Sequence, residues 1–189
     1  MTPKDVVELA KEKGAKMLDL RFMDFPGLWQ HFSVPISELS ESCFEDGFGF
    51  DGSSIRGWQP INASDMLVIP DPLTAQIDPF FSETTMVLIC NIADPVTREP
   101  YTRDPRHIAQ KAEAYLKSTG IGDTAFIGPE AEFFIFDNIR FESATNRAFY
   151  EIDSIEGIWN SGRDECPNLG YKPPPKAGYF PVPTMDEFQ

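Results

Sequence analysis

Two glutamates stand two residues apart in Gly128-Pro129-Glu130-Ala131-Glu132-Phe133-Phe134-Ile135-Phe136, a run that is otherwise almost wholly apolar. Such a run predicts a strand over 124–136. Side chains alternate across a strand, so Glu130, Glu132, Phe134 and Phe136 share one face and Ala131, Phe133 and Ile135 the other. At the usual rise the two carboxylates lie about 6.5–7 Å apart. A carboxylate withdrawn from water must be paired, hydrogen-bonded, protonated or bound to metal. Its oxygens suit hard cations such as Mg²⁺ and Mn²⁺. A solvated strand end would hold the same pair with no ligand, and this stretch alone leaves both readings open.

The charge balance limits the partners. Thirty acids against 16 bases give a net charge of −14, which argues against a nucleic-acid backbone or an anionic membrane as partner and permits divalent cations. Aromatic residues are plentiful but are not interleaved with Lys or Arg as a base-stacking platform requires. Cys43, Cys90 and Cys166 form no Cys-x-x-Cys pair, so zinc and redox motifs have no support, and free thiols in a cytoplasmic protein are expected. The N-terminus shows neither a signal-peptide pattern nor an apolar span.

Along its 189 residues the chain reads as two unequal units. Thr2-Pro3 caps a helix with an apolar stripe of Val6, Leu9 and Ala10, and Gly14 ends it. Strands are expected over 17–24 and 28–34, joined by Phe25-Pro26-Gly27 into a hairpin. One helical turn follows at 36–39. Residues 43–60 read as irregular. Short strands at 65–69, 75–77 and 85–92 complete a mostly antiparallel set, so the first ~95 residues suggest a grasp-like α+β unit. Asp94-Pro95 to Pro100 is a connector. Asp104-Pro105 then caps a helix with Ile108, Ala112, Tyr115 and Leu116 on its buried face, stopped by Gly120. The glutamate strand comes next, with 149–155 as its hairpin partner. Lys172 to Lys176 is an extended proline segment, and 185–188 reads as the start of a helix. The second unit has too few elements to cover its aromatic surface. The expectation is the front portion of a longer protein, which alone would expose a sheet edge and aggregate.

Gly47-Phe48-Gly49-Phe50-Asp51-Gly52 matches G-x-G-x-x-G, but the residues after it, broken by Gly57 and Pro60, offer no amphipathic helix, so a dinucleotide site is rejected. No Walker A sequence occurs. Asp51-Gly52-Ser53-Ser54 fits either a surface turn capped by its own side chains or a loop presenting a carboxylate and hydroxyls to a ligand. His31 and His107 have no partner at ligand or triad spacing and read as structural or surface residues. Lys176-Ala177-Gly178-Tyr179-Phe180-Pro181-Val182-Pro183 is a rigid segment whose Tyr179 could offer a hydroxyl.

Five stretches together, in this order, resemble bacterial type I glutamine synthetase. They are Phe50 to Ile55, Asp78-Pro79-Phe80, Arg103-Asp104-Pro105-Arg106, Gly128 to Phe134, and Lys176 to Pro183. The resemblance implies an α+β fold, with an N-terminal β-grasp domain over 13–97 and the incomplete beginning of an antiparallel-sheet catalytic domain over 105–189. It implies ATP-dependent ligation of ammonia to L-glutamate through a γ-glutamyl phosphate, as part of nitrogen assimilation. The implied metal ligands are Glu130, nearer the nucleotide phosphates, and Glu132, nearer the glutamate, holding two or more Mg²⁺ or Mn²⁺ ions. Asp51, Ser53 and Tyr179 are the implied ammonium site, with Asp51 accepting a proton. No nucleotide-contacting residue is assigned. The implied assembly is two stacked hexameric rings, with the Asp51 loop reaching the neighbouring subunit's active site. Thr184 departs from the family's usual second proline. The remaining metal ligands and substrate arginines fall later in the family's sequence, so the 189 residues alone are expected to be inactive. The competing expectations are a γ-glutamyl–amine ligase for a larger amine and a non-catalytic interaction module.

Overall fold

The computed structural model describes residues 1–133 and 135–153. It contains two compact units, divided between Phe126 and Ile127.

The first unit is built on β1 (Met17–Met23), β2 (Trp29–Pro35), β3 (Phe48–Asp51), β4 (Asp65–Pro70), β5 (Gln76–Ile77) and β6 (Thr85–Ala93). They form one mixed sheet in the order β2-β1-β6-β4-β3, with β5 beside the N-terminal half of β6. β1 and β2 make the expected hairpin, Met17 opposite Pro35 and Met23 opposite Trp29. β1 and β6 run parallel at the centre, and the other pairings are antiparallel. A central parallel pair flanked by antiparallel strands, with one helix packed on the sheet, is the β-grasp-like arrangement.

Strand alternation makes the core one-sided. Leu18, Leu20 and Phe22 from β1, Met86, Leu88, Cys90 and Ile92 from β6, and Met66 and Val68 from β4 are buried together. Helix α1 (Pro3–Glu12) adds Val6 and Ala10 to them. Its start is fixed by a capping box: Asp5 N–H donates to Thr2 Oγ1 at 3.3 Å, and Thr2 N–H to Asp5 Oδ2 at 2.7 Å. Gly14 takes φ +63° just beyond the helix, where a residue with a Cβ is strained.

Several expectations are corrected. Residues 43–60 are not irregular throughout. They contain a short helix α2 (Cys43–Asp46) and the edge strand β3, whose Gly and Phe content hid the strand pattern. Helix α3 (Pro105–Thr119) begins and ends where Asp104 and Gly120 predict, but Ile108 and Tyr115 are exposed and none of its residues is fully buried. Its attachment is polar and lies at its first turn. The buried Asp104 carboxylate accepts the N–H groups of Arg106 and of Ile92 on β6, each at 3.0 Å. Gln110 Nε2 also donates to Asn91 Oδ1 at 3.2 Å.

In the second unit the described residues form a hairpin of β7 (Asn138–Ser143) and β8 (Ala148–Asp153), Asn138 opposite Asp153. β8 therefore pairs with β7, which the sequence reading missed, and not with the glutamate run. Residues 124–133 have no strand pairing among the described residues, and a strand exists only where a neighbour completes its ladder. Arg140–Glu151 at 3.0 Å and Arg147–Glu142 at 3.3 Å bridge the hairpin's exposed face. The segments at 172–176 and 185–188 lie outside the described residues.

Leu88 lies in the central strand with none of its surface exposed. Leu88→Ala removes buried methyl groups from a packed layer and is expected to cost about 2–5 kcal/mol, read as a lower urea midpoint with unchanged slope.

Candidate functional site

The Asp51 loop sits at the sheet's edge. Asp51 is the last residue of β3 and pairs with Asp65 at the first rung of β4. The chain then turns through Gly52–Ser54 as a single 3₁₀ turn. Gly52 N–H donates to Ser64 O at 2.7 Å, tying the turn to the start of β4. A Cβ at Gly52 would lie 2.2 Å from the sulfur of buried Met66, so only glycine fits this close approach. No α-helix follows the glycine-rich stretch, in keeping with rejection of a dinucleotide site.

Asp51 itself is exposed and well furnished with donors. Its Oδ1 accepts from Ser53 N at 2.8 Å and from Ser53 Oγ at 2.6 Å, and its Oδ2 receives a longer contact from Ser54 Oγ at 3.4 Å. The Ser53 hydroxyl and the Ser53 N–H hold the carboxyl below its ordinary pKa, with smaller help from the Ser54 and Ser64 hydroxyls. Asp51 is therefore an anion at neutral pH, standing beside two hydroxyls on an exposed rim. The structure brings Asp51 and Ser53 together as the sequence suggested. Tyr179 lies outside the described residues.

Behind the loop, Trp58 is buried in an aromatic cluster. Its ring centroid is 5.6 Å from Phe22, 6.2 Å from Phe50 and 5.2 Å from Tyr101. Phe22 and Phe50 lie 5.1 Å apart. The loop's return is thus fastened to the core side of β1 and β3.

Glu130 and Glu132 belong to the second unit and are both exposed. Carboxylates are the right donors for Mg²⁺ or Mn²⁺. Two of them supply only part of a coordination shell, and among the described residues no group of three or more His, Cys, Asp or Glu gathers as a metal-holding cluster. The donor chemistry fits the ions, with further ligands required.

A second polar cluster, which spacing alone had not revealed, occupies the β1–β2 face opposite the core. The fully buried Asp19 accepts from His31 Nδ1 at 2.7 Å, Ser33 Oγ at 2.8 Å and Arg21 Nε at 2.7 Å. Arg21 also donates to Asp78 at 2.7 Å. His31 is therefore not without a partner. The signal was in the hairpin: its register sets Asp19 opposite Ser33 and Arg21 opposite His31. These residues border a cavity of about 430 Å³ lined by Arg21, Trp29, His31, Gln76, Phe81 and the strand residues Val87 and Ile89. Burial pushes the Asp19 carboxyl up, but the bonds from His31, Ser33 and Arg21 outweigh it and hold the group below its ordinary value of 3.8.

A carboxyl depressed on folding stabilises the fold fully above its unfolded pKa. That share is lost as pH falls through the lower folded value. The urea midpoint is therefore expected to drop as pH falls below about 4. Asp19→Asn is expected to be less stable at pH 7 and to show a shallower acid decline. An Asp19→Asn curve parallel to that of the parent from pH 7 downwards would contradict this.

Comparison with known proteins bears on these placements. Residues 14–95 match the family model described as glutamine synthetase, beta-Grasp domain, and residues 102–189 that described as glutamine synthetase, catalytic domain. A glutamine synthetase of Aquifex aeolicus is 59% identical over 98% of this chain and 39% of its own length. One of Microchaete diplosiphon is 57% identical over 100% of this chain and 40% of its own length. The chain thus spans about two fifths of the curated relatives it matches. The fold is also similar to a Plasmodium falciparum glutamine synthetase structure, with a TM-score of 0.64 at 20% identity over 84% of this chain and 30% of that one. Among the described residues no helix is long and apolar enough to cross a membrane. With both models matched in order along nearly the whole chain, and relatives of that name at such identity, the chain belongs to the glutamine synthetase family and corresponds to its N-terminal portion.

Proposed function

We propose that this chain serves the ATP-dependent ligation of ammonia to L-glutamate, giving L-glutamine in the cytoplasm, as part of a protein of its relatives' length. The observation that carries the reading is the identity of 59% over 98% of this chain to a protein named glutamine synthetase. On this reading 13–97 is the β-grasp domain and 105–189 the beginning of the catalytic domain.

The reaction runs in two steps. A γ-carboxylate oxygen of glutamate attacks the γ-phosphorus of ATP, and ADP leaves. Ammonia then attacks the acyl carbon of the γ-glutamyl phosphate, and inorganic phosphate leaves. The first step brings two anions together and needs cationic neutralisation. Glu130 and Glu132 would hold Mg²⁺ or Mn²⁺, which supplies that charge when bound. Asp51, Ser53 and Tyr179 would bind ammonium. The hydrogen bonds that keep Asp51 ionised suit it to attract the cation. They also make it a weak base, so a proton taken from ammonium passes on to solvent rather than staying on the carboxyl. Asp51 and Ser54 are exposed at the rim of their own unit, which suits a loop completing the active site of a neighbouring subunit in a homo-oligomer.

ADP release by the full-length protein, with glutamate and ammonium both present, tests the reading. Turnover that does not depend on ammonium would overturn it. Asp51→Asn removes a charge-assisted contact worth about 1.5–3 kcal/mol and is expected to raise the KM for ammonium roughly ten- to a hundredfold. Glu130→Gln and Glu132→Gln are each expected to lower kcat by about a hundredfold or more, because transition-state neutralisation is worth several kcal/mol. The 189-residue chain alone is expected to release no ADP.

A further inference from the structure

The stretch that carries Asp51 is held at both ends by arginines from one later segment. At its entry, the Arg98 guanidinium donates to Asp46 O at 2.9 Å and to Glu45 O, both carbonyls at the C-terminal end of α2. At its exit, Arg103 Nη1 donates to Trp58 O at 3.1 Å and to Gly57 O. Between the two arginines Tyr101 lays its ring 5.2 Å from that of Trp58. Residues 94–104 therefore form a strap over the Asp51 stretch.

The strap is itself fixed. Asp94 Oδ1 accepts the N–H groups of Val96 and Thr97 at 2.8 Å each, closing a tight turn. Arg98 follows at φ +63°, an unusual conformation for a residue with a side chain, and this turn aims its guanidinium at α2. Tyr101 N–H donates to Ile92 O at 2.8 Å, and the buried Asp104 accepts from Ile92 N. The strap leaves β6 at Ala93 and its far end is pinned back to Ile92 near the end of the same strand. Six of its residues, 96–101, fall in the gap between the two matched family models, and Arg103 lies just inside the second while gripping a loop that belongs to the first.

The loop has few fastenings of its own. Between Gly52 and Trp58 its backbone bonds are Gly52 N to Ser64 O, Ile55 N to Gly52 O at 3.2 Å and Trp58 N to Ile55 O at 3.1 Å. Gly57 turns at φ +81°, which aligns two successive carbonyls. A planar guanidinium has several fixed donors that can serve such a pair at once, and a lysine ammonium does not reproduce that fork.

We propose that Arg103 is a positioning residue for the ammonium site, holding the return of the loop so that Asp51 is presented at a fixed height. Arg98 secures the opposite end. This rests on the reading of Asp51 as the ammonium-site carboxylate. Arg103 is exposed, makes no part of the core, and acts through the backbone of residues 57 and 58.

The test uses the full-length protein. Arg103→Ala is expected to raise the KM for ammonium about tenfold, the scale of a lost charge-assisted contact. The KM values for glutamate and ATP should stay within about twofold. Added guanidinium ion should recover most of the loss, and Arg103→Lys should fall between. The emission contributed by Trp58, read as the difference between each protein and its Trp58→Phe counterpart, should shift to the red in Arg103→Ala, since Arg103 holds the carbonyl of that residue. Active parent protein with an unchanged ammonium KM in Arg103→Ala overturns the proposal and leaves the functional reading standing. An equal rise in all three KM values with a lowered Tm also overturns it, in favour of a purely structural role. A parent protein without ammonium-dependent turnover overturns the functional reading, and the strap's hold on the loop then falls as well if Trp58 emission does not change.

Discussion

Everything in the first unit depends on the parallel pairing of β1 with β6. These two strands contribute seven side chains to the packed core cluster, from Leu18, Leu20 and Phe22 to Met86, Leu88, Cys90 and Ile92. Parallel neighbours cannot be joined by a tight turn, so the chain must travel from the end of β1 to the start of β6 by way of β2, α2, β3, β4 and β5. The Asp51 loop lies on that detour. It sits on β3, the edge strand farthest from the hairpin, with β4 as its one ladder neighbour among the described residues. A four-residue edge strand holds a loop weakly. The aromatic cluster around Trp58 and the strap over it supply what the ladder does not.

The same geometry explains what could be read from the sequence. Periodicity located β1, β2 and β4, whose residues alternate between a more covered and a less covered face, and an apolar run located β6, which is covered on both faces. Caps located both long helices, since Thr2, Gly14, Asp104 and Gly120 act on backbone groups of their own neighbours. β3 escaped because it is only four residues long and two of them are glycine and aspartate, and its strand character comes from β4. The buried face assigned to α3 failed for a related reason. An apolar stripe states what a helix could bury, and among the described residues Ile108 and Tyr115 stay largely exposed. The strand assigned to the glutamate run had the same weakness, since apolar content cannot supply a ladder partner.

The candidate site was legible in proportion to its locality. Asp51 with Ser53 is a contact across two residues, written into Asp-Gly-Ser-Ser as an Asx-type turn. Asp19 with His31 and Ser33 needed the hairpin register, which Phe25-Pro26-Gly27 already implied. Arg103 with the carbonyls of Gly57 and Trp58 spans 46 and 45 residues and ends on backbone atoms, which carry no side-chain signature. Contacts from a side chain to distant backbone are therefore the ones that a sequence conceals best, and here such contacts control where the loop stands.

Two opposite uses of a carboxylate follow from these placements. Asp19 is withdrawn from solvent, and its three donors take most of its acceptor capacity, so it organises the β1–β2 face and has little left to offer a ligand. Asp51 is equally well supplied with donors, but from hydroxyls and one N–H of its own turn, and it remains open to water. Hydroxyl donors can rotate to accept instead. A cation arriving at Asp51 therefore meets a ready anion whose neighbours can reverse their hydrogen bonds toward it, whereas a cation at Asp19 would have to displace a histidine and an arginine. Burial and donor type, more than the presence of an acidic residue, separate the carboxylate that holds the fold from the one able to receive a small cation.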